Sequence, residues 1–254
     1  MILLLNRDNT SSGVDRSGST DRDGVTVDAI RSEGDFVRRT ERLLMPLGFT
    51  GANSIACVGV CRDELCQTLS ALVAAAWGEA FNFSSLAGML FLGVTGFGAA
   101  HAHAPLDGGK ERYIYYCMAH MGIGPAGEIG VCDRIGREEP SSACGALCAF
   151  VQELASGRVV HGIDRDDPEM SLLRERLGRY LSWGETPELL HTTRLAYQAI
   201  TEDLERAIGK TVDTAKADYA VFTGIQLHIR GRANLIWPGT LYAVVDGERT
   251  ALKL

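Results

Sequence analysis

With 254 residues, 46% of them hydrophobic and 22% charged, this chain has the make-up of an ordinary soluble domain, able to bury about 70–75% of its unfolded surface. A formal net charge of −7 and the lack of any Lys/Arg cluster argue against a nucleic-acid surface. Seven cysteines, an odd number, with no secretory leader read as reduced thiols rather than a disulfide framework; Met1–Leu5 is too short for a signal core and Arg7 and Asp8 follow at once, so the expected location is the cytoplasm.

Residues 1–26 are expected to form a disordered arm, because positions 6–26 hold polar residues, Gly and alternating charges with almost nothing apolar to bury. One domain then spans 27–254. Apolar residues at helical spacing (Ile30, Phe36, Val37, Leu43, Leu44) predict a helix over 27–47, stopped by Pro46 and Gly48. Ser54–Val60 reads as a buried strand ending at Cys61, and Asp63 is a plausible N-cap for a helix from Glu64 to Trp77. Residues 80–106 carry no Lys, Arg, Asp or Glu and are long enough to span a bilayer. Asn82, Ser84, Ser85, four glycines, two histidines and Pro105 favour a buried core stretch and no membrane segment.

Arg112–His120, rich in aromatic and β-branched residues, predicts a strand with His120 at its end. A short strand or turn at 127–131 follows, and Cys144 opens a helix to Leu154. Helices are expected over 167–183 and 187–208, with Pro168 and Pro187 in their first turns. Ala217–Ile229 alternates as a strand, and Leu241–Val245 pairs with it across a connection at 231–239. Strands alternating with helices predict an α/β fold: a mostly parallel central sheet covered by helices on both faces.

Cys61, His120 and Cys144 fall at element junctions in this reading. Two thiols and an imidazole make a zinc set one ligand short of closure, and a catalytic zinc keeps that position open for water. Cys61 lies where the carboxyl end of a strand meets a helix N-terminus, a place where α/β proteins gather ligands and where a thiolate is favoured. The remaining cysteines, at 57, 66, 117, 132 and 148, read as small buried hydrophobes, and His101, His161, His191 and His228 as packing or surface residues. Gly93–Gly98 has the wrong glycine order for a dinucleotide loop.

The blocks CRDEL (61–65), the long segment from Trp77 to Pro105, GKERY (109–113), AH (119–120), GEIG (127–130), GRE (136–138) and SSACGAL (141–147) resemble the limiting-CO2-inducible protein B/C family, which is similar to β-type carbonic anhydrases and includes theta-class members. A weaker block continues at 223–228. The resemblance implies a β-carbonic anhydrase-like fold, Zn2+ held by Cys61, His120 and Cys144, and a catalytic Asp63 that either fills the fourth zinc position at rest or swings away to accept the water's hydrogen bond. It also implies an active-site His103, an apolar wall of Phe81, Phe83 and Leu86, a homodimer, and reversible CO2 hydration to bicarbonate serving carbon concentration. The proton released is expected to leave through a group such as His103.

Two departures from the ordinary β pattern stand out. The Arg that holds the Asp off the metal is replaced by Leu65, which leaves Arg62, Arg112 and Arg137 as candidate partners of Asp63; and His120 and Cys144 are far apart in sequence. Leu65 keeps open a catalytically weak zinc-containing CO2/bicarbonate-linked binding or scaffold protein. A cysteine hydrolase using Cys144 and His120 is a third reading.

Overall fold

Ser32 ends a two-residue strand, β1 (Arg31–Ser32), and its hydroxyl accepts from the Asp35 N–H to start helix α1 (Glu33–Leu44). The computed structural model describes residues 30–229 and 231–254; the arm expected at 1–26 lies outside the described residues. The first helix therefore begins at Glu33, because Arg31 and Ser32 are paired into a sheet edge opposite Ile236 and Leu235. It stops where the chain tightens through Met45–Leu47 into Gly48, whose φ of 87° is left-handed.

The elements that follow are β2 (Ile55–Gly59), α2 (Gln67–Trp77), β3 (Ala80–Asn82), α3 (Gly93–His101), β4 (Glu111–Ile123), β5 (Val131–Cys132) and β6 (Ser141–Ser142). Then come α4 (Gly145–Ser156), α5 (Pro168–Gly178), α6 (Leu189–Thr211), β7 (Ala217–Ile229), β8 (Leu235–Val245) and β9 (Glu248–Ala251). Pro168 takes the first turn of α5 as expected, but Pro187 precedes the Glu188 cap of α6 and lies outside that helix. β8 begins at Leu235, earlier than the expected Leu241, and pairs with β7 on both sides of an irregularity between Phe222 and Gly224.

The sheet order is β1-β8-β7-β4-β2-β3, with β9 on β8. The ladders β3-β2, β2-β4 and β4-β7 are parallel, and the antiparallel strands lie to the β8 side. This is the expected α/β domain with a mostly parallel central sheet. Both faces are covered because side chains alternate along β4. Tyr116 meets α1 and α2, sharing a hydrogen bond with Thr40 at 2.6 Å and accepting from Trp77 Nε1 at 3.0 Å. Tyr115 faces the other way, its hydroxyl 2.7 Å from His101 Nε2 on α3. A strand buried on both faces loses the in-out polarity pattern, and β4 and β7 are buried along almost their whole length.

Residues 80–106 form β3, a turn and α3; Phe83, Met89, Leu90 and Phe97 are buried in the core, whereas Val94 and Leu106 are exposed, so the expected core stretch is only partly buried. Among the described residues no helix is long and apolar enough to cross a membrane.

Candidate metal centre

Cys61 stands just past the carboxyl end of β2, held by a bridge to Ser85. His120 lies within β4, opposite Gln226 of β7, and the strand runs three residues beyond it to Ile123. The expected strand end at His120 is thus corrected, since the long ladder with β7 carries β4 onward. That extension brings in Cys144. The Gly122 N–H donates to the Ala143 carbonyl at 2.8 Å, and the Ala143 N–H to the Gly130 carbonyl at 3.0 Å. Gly122 allows this approach, since a Cβ there would run into the Val131 backbone. Cys144 then caps α4.

The two sulfurs and one ring nitrogen of His120 lie within 4.8 Å of one another. Cys61, His120 and Cys144 are 5%, 0% and 1% exposed. His120 Nδ1 is 3.2 Å from His228 Nε2, which leaves Nε2 for the sulfurs. Nε2 is buried and has no hydrogen-bond partner among the described residues. A buried polar atom without a partner is costly, and a metal ion between it and two sulfurs removes that cost. The donor set suits zinc, which is bound by thiolate and imidazole.

The electrostatics favour a thiolate here. The Cys144 thiol, against burial and with help from nearby His120, holds the Cys61 thiol well below its ordinary range. The Cys144 thiol itself is pushed up, by its bond to Cys61 and by burial. The N–H groups of Ala146 and Leu147, at the start of α4, face its sulfur and oppose that rise.

Asp63 caps the turn at Glu64–Cys66 by accepting from the Leu65 N–H at 3.1 Å. Its partner is Arg134, not Arg62, Arg112 or Arg137. The guanidinium grips both carboxylate oxygens, Nη1 to Oδ1 at 2.9 Å and Nη2 to Oδ2 at 2.7 Å. Arg134 is fixed in turn by Ser141 Oγ, at 2.7 Å, and by Glu64. Burial works to raise the Asp63 carboxyl, but Arg134 and the Leu65 N–H outweigh it and hold the group below its ordinary value. Arg62 reaches Glu169 instead, at 2.6 Å, and Arg112 reaches Asp107 at 3.0 Å.

His103 is not brought to this cluster. It is exposed, its ring edge-on to Phe81 at 5.5 Å, and it borders a cavity of about 290 Å³ with Ile55, Trp77 and Phe81. Phe81 is registered against Cys57 of β2, four residues before Cys61 and so about 13 Å from it at a strand's rise per residue. Helix α3 carries the chain from one sheet edge to the other, and His103 follows it. Phe83 packs on Phe97 and Tyr115. Leu86 stays near Cys61, next to Ser85, and its N–H donates to Glu169 at 2.8 Å.

Two residues that sequence reasoning passed over belong to the site. Arg134 sits in the β5–β6 connection, where nothing in the local pattern marks it. His228 ends the weak block at 223–228, which was a usable signal. Burial, then the charge of His120, lowers His228 to about 4. A larger cavity of about 860 Å³, between α4 and α5 beside Phe150, Leu154, Arg174 and Trp183, touches none of these groups.

A sequence profile of the limiting CO2-inducible proteins B/C beta carbonic anhydrases matches residues 30–245. The crystal structure of the limiting CO2-inducible protein LCIB is 33% identical, with a TM-score of 0.73, covering 94% of this chain and 99% of that one. PtLCIB4, a homologue of LCIB, is 20% identical with a TM-score of 0.75 over 89% of this chain and 96% of its own, which supports the fold alone. No curated protein matched the chain. The chain therefore belongs to the family of limiting CO2-inducible proteins B/C, described as beta carbonic anhydrases.

Proposed function

We propose that this protein is a zinc-dependent carbonic anhydrase interconverting CO2 and bicarbonate. The observation that carries this reading is the buried, unpartnered His120 Nε2 beside two cysteine sulfurs. Cys61, His120 and Cys144 would hold the ion, leaving a position for water. Zinc bound there would supply Lewis acidity, bringing the ionisation of water from 15.7 to about 7.

Asp63 would act on that water. Of roughly four lone-pair sites on a carboxylate, Arg134 and the Leu65 N–H take three. The remaining one, on Oδ2, would be free to accept a hydrogen bond from a water at the site. Arg134 thus does what the missing Arg at position 65 would do, from another part of the chain. Leu86 supplies apolar surface near Cys61 for a nonpolar substrate. Direct proton transfer through His103 is not part of this reading, given its place at the opposite edge.

Burial of all three donors favours a second reading, a catalytically weak zinc-containing binding or scaffold protein. It weighs against a Cys144 hydrolase, whose nucleophile must meet a substrate carbonyl. We take the working unit to be a cytoplasmic homodimer, to be checked by light scattering. The deciding experiment is stopped-flow CO2 hydration on protein of known zinc content. Turnover that is lost to a chelator and restored by Zn2+ supports the enzyme; no rate above buffer with one zinc per chain supports the binding reading.

A further inference from the structure

The orientation of Asn234, just before β8, fixes the protons of two histidines. Its Nδ2 donates to the Leu65 carbonyl oxygen at 3.0 Å, so its Oδ1 is the end that faces His228 Nδ1, 3.0 Å away. An amide oxygen only accepts, and His228 Nδ1 therefore carries the ring proton and donates it. In a neutral imidazole the other nitrogen is then a bare acceptor. His228 Nε2 faces two groups with protons to give, His120 Nδ1 at 3.2 Å and the Cys66 thiol at 3.6 Å. His120 keeps its proton on Nδ1 and turns the lone pair of Nε2 toward Cys61 and Cys144.

We infer that His228, oriented by Asn234, is a positioning residue that sets the tautomer and ring plane of His120, so that Nε2 is the metal donor. The inference rests on the zinc reading above. Cys66, His120 and His228 also lie within 4.8 Å of one another, as a second metal set would. The donors and acceptors in series account for that cluster without an ion: the single lone pair of His228 Nε2 is met by His120 Nδ1 at 3.2 Å, with the Cys66 thiol farther off at 3.6 Å. A ligand histidine whose second nitrogen is tied down is better oriented and more basic than a free one.

The same turn links the two halves of the site. The Leu65 N–H holds Asp63 and its carbonyl holds Asn234. The backbone of residue 65 thereby aligns the carboxylate with the histidine relay, whatever its side chain.

The test measures zinc affinity of the whole chain by competition with a chromophoric chelator, with the visible spectrum of the Co2+-loaded protein and 15N imidazole NMR of the zinc-loaded wild type. We expect His228→Leu to bind zinc about 10- to 100-fold more weakly and to shift the Co2+ bands. His228→Gln, whose Oε1 can accept near the place of Nε2, should recover most of the affinity. The NMR should show His120 coordinated through Nε2 and protonated at Nδ1, and His228 protonated at Nδ1.

Unchanged affinity in His228→Leu, or coordination of His120 through Nδ1, overturns the positioning role while leaving the zinc site standing. Equal weakness of the Gln and Leu variants assigns the loss to packing and overturns it too. A wild type that binds no zinc overturns the reading of the site itself, and this inference with it. The NMR measurement uses no variant, so it decides the matter should His228→Leu fail to fold.

Discussion

At the carboxyl edge of β2 and β4, His120 is fully buried, one ring nitrogen tied to His228 and the other facing two sulfurs. Toward the amino edge of the same strands, His103 is exposed, its ring edge-on to Phe81. Both histidines lie in blocks that resemble the same family. What separates them is convergence. Parallel strands β2 and β4 deliver their carboxyl ends to one place, where the Ala143 and Arg134 segments also return. The amino edge instead gathers a helix terminus, turns and ion pairs such as Lys110–Asp218 and Arg112–Asp107.

The sharpest way to break this contrast is to remove the donors. Cys61→Ser, His120→Ala and Cys144→Ser are each expected to lose zinc and all hydration above buffer, read by elemental analysis and stopped flow. If all three retain one zinc per chain, the carboxyl edge is not the metal centre. Asp63→Asn should keep zinc and lose about 10²-fold or more in kcat, the usual scale for a positioned acid-base group. Full activity in that variant would leave Asp63 a mere turn cap.

Arg134→Ala should cost about 10- to 100-fold, as for other groups that orient a metal site's working residues. It also carries a pH signature. The folded-state Asp63 carboxyl ionises below its ordinary 3.8, so its ion pair adds stability that is present above that value and lost as pH falls through the lower, folded-state one. Removing Arg134 should raise the pH midpoint of acid unfolding, followed by circular dichroism; an unmoved midpoint would mean that the pair adds nothing to stability. The smallest effect is expected at the other edge. His103→Ala should leave kcat within about twofold, as for exposed substitutions far from a site, measured in weak buffer where a proton relay would limit the rate. A large loss there would show that the exposed histidine reaches a centre by some route other than this chain's own sheet.

Much of the fold was legible because local patterns are strong where one face is buried. The helix spacing from Phe36 to Leu44, the strand leading into Cys61, and Cys144 opening a helix all stood in the sequence and in the structure. Boundaries were missed where pairing decided them. β4 outran His120 because β7 matches it residue for residue, β8 began early for the same reason, and Ser32 was taken from a helix by a sheet edge.

The amino-acid sequence by itself determined the donor types, two thiols and an imidazole, and their places near the ends of elements, since short-range propensity and motif spacing act along the chain. Tertiary structure alone decided which arginine holds Asp63, which nitrogen of His120 is left bare, and that His103 stands apart. Those outcomes depend on strand direction and on contacts between segments as far apart as Asp63 and Arg134, or His120 and His228, and no local pattern encodes the meeting of groups that only the folded sheet brings together.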